Sequence, residues 1–172
     1  MATTLGHQRP ATADRAADVR QAVGHVEYLD YTVPPNQLVP DLHPDLEAFA
    51  LGEPVFATGY LVGLLEAPCM TYLRRHHLQP GQTLVGTAID ITHRAPAHPG
   101  DRLIAAARCT TATHTGTDHR DRGRSGGRRG GGTRFEFAVT ARNHHNGVVI
   151  ARGHITQHLV DVDTFRTRLP RP

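Results

Sequence analysis

From His25 to Val33 apolar and polar positions alternate closely enough to predict a strand, and Pro34-Pro35 stops it because proline has no amide proton to give a ladder. Between Asn36 and Pro54, prolines and scattered apolar residues (Leu38, Val39, Leu42, Leu46, Phe49) predict a covering loop with short helical turns, a candidate lid. At Thr58 the pattern becomes helical and stays so to about His77. Thr58 is a natural N-cap, and Arg74, Arg75, His76 and His77 suit the negative end of a helix dipole. The apolar residues of this segment fall on all sides, which predicts a helix enclosed by other structure, and Pro68 predicts a kink one turn after Glu66. After a Pro80-Gly81 turn come four strand patterns: Thr83–His93, Arg102–Thr113, Arg134–Asn143 and Val148–Val162. A turn over Pro96–Gly100 separates the first two, and Asn146-Gly147 supplies a tight hairpin between the last two. One buried helix followed by an antiparallel meander is an α+β layout with the sheet wrapped on the helix.

A chain of 172 residues makes one domain, long enough for a real core. Residues 1–24 read as a flexible leader and 25–172 as a single domain. With no Trp and few other aromatics, that core must come from Val, Leu, Ile and Ala. No apolar stretch of about 20 residues offers a membrane span, and the start lacks the apolar region of a secretory signal, so a cytoplasmic protein with no membrane partner is expected. Cys69 and Cys109 fit reduced, buried thiols better than a disulfide framework.

The net charge of +3 raises the question of nucleic acid. Every basic residue is Arg, a bias typical of GC-rich coding, and much of the excess lies between Asp118 and Arg134 in a run of Arg and Gly. That run has too few apolar residues to offset its ordering entropy, so it reads as a disordered insert over about 114–133. Arg120, Arg122, Arg124, Arg128 and Arg129 have no interleaved aromatics for base stacking, which argues against a nucleic-acid partner.

Chemistry concentrates in one region. Thr58, Glu66 and His93 bring a hydroxyl, a carboxylate and an imidazole into an apolar stretch that also carries Gly59 and Gly63. Each has a plain structural reading: Thr58 as a helix cap, the glycines as aids to close packing, His93 as a surface residue at a strand end. Glu66 is harder to explain that way, because a lone acid on an enclosed helix is costly without a partner or a task. The remaining histidines, including His76-His77 and His144-His145, lack a third ligand, so no metal site is expected.

The run Val55-Phe56-Ala57-Thr58-Gly59-x-x-Val62-Gly63-Leu64-x-Glu66 follows Thr32-Val33-Pro34-Pro35 and precedes Gly86-Thr87-Ala88-Ile89-x-x-Thr92-His93. Together these blocks resemble the fluoroacetyl-CoA thioesterase family of hotdog-fold proteins, and the likeness extends more weakly to about Arg168. The resemblance implies a hotdog fold, a homodimer with sites at the subunit interface, an acyl-CoA substrate, and no cofactor beyond the coenzyme A of that substrate. It places the catalytic trio on Thr58, Glu66 and His93, with backbone donors for the thioester oxygen at Gly86 and Gly59. On this reading Glu66 attacks the carbonyl or activates water, His93 moves protons, and Thr58 orients the carboxylate. Val39, Leu42 and Phe49 take the places of the apolar gate over the acyl pocket, while Gly52 stands where the family's aromatic lid residue would be, which predicts a wider pocket and a short-chain acyl-CoA substrate not restricted to fluoroacetyl. A hotdog hydratase or dehydratase and a non-catalytic acyl-CoA-binding protein are the alternatives.

Overall fold

The computed structural model describes residues 19, 21–43, 45–115 and 132–167. Five strands, β1 (Val26–Thr32), β2 (Gln82–His93), β3 (Arg102–Thr115), β4 (Gly132–Asn143) and β5 (Val149–Asp161), form one antiparallel sheet in the order β1-β3-β4-β5-β2. The helix α2 (Thr58–His76) packs on it, α1 (Glu47–Ala50) is a single turn in the covering loop, and α3 (Val162–Thr167) follows β5. The α+β layout with a long helix on an antiparallel sheet therefore stands. The residues between Thr115 and Gly132, where most of the expected disordered insert falls, lie outside the described residues, as does most of the leader. At either side of the insert β3 and β4 run on further than their sequence patterns suggested, to Thr115 and from Gly132.

Two expectations need correction. The strands after the helix are not a simple meander: only β3, β4 and β5 run side by side, while β2 lies at the far edge against β5 and β3 crosses to pair with β1. The connection after β2 explains why it makes no hairpin. Ala97 within it is fully buried and its carbonyl accepts the Phe56 amide at 2.8 Å, so the chain is drawn across the core instead of turning back on itself. By contrast Asn143, Asn146 and Gly147 close a true β4–β5 hairpin, with Gly147 at φ 71° where a side chain would be strained.

The second correction concerns α2. Its buried residues are Leu61, Leu64, Leu65, Pro68, Cys69, Tyr72 and Leu73, a stripe at three- and four-residue spacing that meets the sheet. Gly63 on another face is exposed, and Val62, Glu66 and Met70 are only half-buried. The helix is thus enclosed on one side, not all round; the small residues that made its pattern look uniformly apolar lie partly in the open. It stays helical through Pro68 to His76. Beneath the stripe, Phe135, Phe137, Val139, Leu103 and Ile155 complete the core, each large side chain contributing about 1.5–3 kcal/mol by leaving water. Burial pushes the Cys69 thiol up to about 12 and the Cys109 thiol to about 11, so neither offers a thiolate near neutral pH.

The covering loop is tied down at several points. Leu38 and Phe56 form an isolated antiparallel bridge, Val39 N–H donates to the Val55 carbonyl at 2.9 Å, and Ala57 N–H donates to the Gln37 carbonyl at 3.1 Å. The Tyr31 hydroxyl donates to the Gln37 side chain, and desolvation raises that hydroxyl above the usual tyrosine range. These ties hold Val39 and Leu42 over the start of α2.

Candidate active site

The backbone enters α2 through Ala57, which is extended at φ −70° and ψ 140° and acts as the N-cap; Thr58 is the first helical residue. Its hydroxyl makes no capping bond to the helix backbone, contrary to the cap expected from sequence. Instead Thr58 Oγ1 lies 2.9 Å from Nδ1 of His93, at the end of β2. The other ring nitrogen, Nε2, is 3.0 Å from the Ala95 carbonyl oxygen. A carbonyl only accepts, so in the neutral ring Nε2 carries the proton, Nδ1 presents its lone pair, and the Thr58 O–H must donate to it. The imidazole is oriented by a fixed backbone acceptor and polarises a hydroxyl that is open to solvent.

Gly59 follows Thr58, and its amide belongs to the first helical turn, where no intrahelical acceptor is available. A β-carbon at Gly59 would stand 2.9 Å from Leu42 Cδ1, so the absence of a side chain there admits the lid leucine to the helix start. Gly52 has a parallel role: a β-carbon there would stand 2.4 Å from Val39 Cγ1 and 3.1 Å from the Phe49 carbonyl oxygen. Val39 thus lies directly against Gly52, in space that a side chain at this position would claim.

Glu66 belongs to a separate cluster. It sits two turns further along α2, about 12 Å along the axis from Thr58, and bonds neither Thr58 nor His93; the expected orienting bond from Thr58 to the carboxylate is therefore not made within the protomer. Its partner is Gln157 on β5, whose Nε2 donates to Glu66 Oε1 at 2.5 Å. Gly86 completes the cluster. It pairs across strands with Gln157, next to a register shift between Gly86 and Ala88, and a β-carbon on it would come within 2.6 Å of Glu66 Oε1 and 3.3 Å of Gln157 Nε2. The carboxylate thus rests on the bare backbone of Gly86.

The predicted residues accordingly fall into two groups, Thr58, His93, Gly59 and the lid residues Val39, Leu42, Phe49 and Gly52 at the helix start, and Glu66 with Gly86 at its middle. Sequence reasoning missed Gln157 and the Ala95 carbonyl. Gln157 had a usable signal, since Ile155, Gln157 and Leu159 share the core-facing side of β5 and a glutamine between two buried aliphatics is out of pattern. Among the described residues no three His, Cys, Asp or Glu side chains gather as a metal site would require, and no helix is long and apolar enough to cross a membrane.

Comparison with solved structures decides the fold. The fluoroacetyl-CoA thioesterase FlK superposes with a TM-score of 0.67 at 28% identity, covering 86% of this chain and 97% of that one. This chain has the hotdog fold, and part of it is similar to the fluoroacetyl-CoA thioesterase family. The family model for fluoroacetyl-CoA-specific thioesterase matches residues 44–117, which take in the later part of the covering loop, α2, β2 and β3. The fluoroacetyl-CoA thioesterase of Streptantibioticus cattleyicolor is 44% identical over 78 residues, 45% of this chain and 55% of that protein. The match spans only about half the length of that curated relative. A thioesterase superfamily member from Thermus thermophilus shares the fold, with a TM-score of 0.64 at 21% identity over 84% of this chain and 88% of that one.

Proposed function

We propose that this hotdog protein is a cytoplasmic acyl-CoA thioesterase that hydrolyses a short-chain acyl-CoA at sites shared between two copies of the chain. The observation that carries this reading is the Thr58–His93 hydrogen bond, with its polarity set by the Ala95 carbonyl. Thioester hydrolysis needs an activated oxygen, a proton carrier and donors for the oxyanion. As Thr58 Oγ1 attacks the carbonyl carbon, its proton passes to His93 Nδ1. Collapse of the tetrahedral intermediate breaks the C–S bond, and the coenzyme A sulfur leaves with the proton from His93. On this reading the first-turn amide of Gly59 and the Gly86 amide supplied by the second copy receive the oxyanion, and no cofactor is required. Glu66 then takes a proton from water as the water attacks the acyl-threonine, and returns it to Thr58 as the carboxylic acid departs.

Within one protomer Glu66 is too far along α2 to join Thr58, so the site is completed by a second copy whose α2 runs antiparallel. Support comes from the surface that such pairing would cover. β2 is a sheet edge, its residues from Gly86 to Asp90 are exposed, Ile89 among them at 48%, and the outer side of α2 is partly open.

A panel of acyl-CoA thioesters read with a free-thiol reagent tests the reading. Repeated thiol release from the wild type that stops after about one equivalent per site in Glu66→Gln supports it, because the thiol leaves before Glu66 acts. Continued turnover that survives this change removes Glu66 from the chemistry, and binding without turnover across the panel overturns the enzyme reading. Gly86→Ala provides a steric check: its methyl would push the carboxylate off its seat, and a displacement of that size is expected to lower kcat by about 10–100-fold with the circular dichroism spectrum unchanged. Equal turnover would show that the seat is idle.

A further inference from the structure

We infer that Gln157 is a positioning residue for this reaction, holding the Glu66 carboxylate against Gly86. The inference rests on the thioesterase reading for the task of Glu66. Gln157 is fully buried, with its core-facing neighbours Ile155 and Leu159 on the same strand. A buried amide is costly unless both of its ends are bonded. Here only one is: Nε2 meets Glu66 Oε1 at 2.5 Å, while Gln157 Oε1 finds no partner among the described residues. Packing alone would favour Leu or Met at this position, so the amide brings a cost that its single bond must justify.

The polarity of that bond follows from the partner. Turning the amide round would set two acceptor oxygens against each other, so the NH2 group faces the carboxylate and gives a charge-assisted bond. Glu66 projects from the half-open side of α2, where a glutamate would otherwise sample several rotamers toward solvent. Two features remove that freedom. Gly86 supplies the room, since any side chain there would collide with Oε1, and Gln157, its cross-strand partner, supplies the donor. Strand pairing between β2 and β5 thereby fixes seat and holder relative to each other.

The test replaces Gln157 with Met, of similar length and without a donor, and with Leu as a second variant. Both are expected to melt at or above the wild-type temperature, because an unsatisfied buried oxygen has been removed. Their kcat for acyl-CoA hydrolysis should fall by about 10-fold or more, with KM within about twofold. Crystal structures of the variants should show the Glu66 side chain off Gly86. A purely structural role for Gln157 predicts the reverse, a lowered melting temperature with kcat preserved, and that result overturns the inference. So does a Glu66 side chain that keeps its place in both variants. If the wild type hydrolyses no acyl-CoA, the thioesterase reading fails, and the position of Glu66 in the variant crystals still decides whether Gln157 holds it.

Discussion

His93→Ala is expected to lower kcat for acyl-CoA hydrolysis by about 10²–10⁴-fold, the usual contribution of a positioned proton carrier. The substitution removes the only described acceptor of the Thr58 hydroxyl and leaves the Ala95 carbonyl facing solvent. Because the imidazole is half-buried and lies at the end of an edge strand, the fold should survive and KM should change little. Thr58→Val separates the two members of the pair. It keeps the shape and removes the oxygen, so it should match His93→Ala in kcat, and the double variant should be no worse than either single one, since two groups acting on one proton are not additive. Steady-state kinetics with a thiol reagent decide the matter. A His93→Ala enzyme with wild-type kcat would show that the Thr58–His93 bond plays no part in turnover.

The largest expected effect on stability is at Gly153, far in sequence from any candidate catalytic residue. A β-carbon there would lie 1.9 Å from the Asp90 carbonyl oxygen and 2.8 Å from the Ile91 α-carbon. Both are backbone atoms of β2, paired with β5 at this register, so neither can rotate aside. Gly153→Ala must therefore force β2 and β5 apart, at an expected cost of about 3–5 kcal/mol. That is a large part of the roughly 5–15 kcal/mol by which a domain is normally stable. Urea denaturation should show a much lower midpoint, and an unchanged midpoint would mean that the close approach of β2 and β5 is not required. The consequence reaches the site, because β2 carries both Gly86 and His93 and β5 carries Gln157.

Much of this molecule was readable from residue order. The helix from Thr58 to about His77 and its strand neighbours are local patterns, and the Asn146-Gly147 hairpin follows from turn chemistry alone. The candidate site was legible as residue types in sequence blocks: a threonine opening the helix, an acid two turns on, a histidine closing the next strand. Errors arose where a local pattern had more than one tertiary outcome. Thr58 has a residue type that caps helices, yet its hydroxyl turns to His93, 35 positions away in sequence. Gly63 and Ala67 look apolar in a helical wheel and still lie wholly or partly in the open. The adjacent strand patterns β2 and β3 suggested a hairpin, but burial of Ala97 sends them to opposite parts of the sheet.

Hydrophobic period, proline and glycine placement and the cost of an acid in an apolar helix are properties of short windows, and they determined the elements, the α+β class and the identity of Thr58, Glu66 and His93. Strand order, the one-sided cover of α2, the division of those residues between two clusters and the seat that Gly86 and Gln157 make for Glu66 were decided only in the folded chain. These depend on contacts between segments tens of residues apart, where alternative pairings share the same local patterns and differ only in how well the whole core closes.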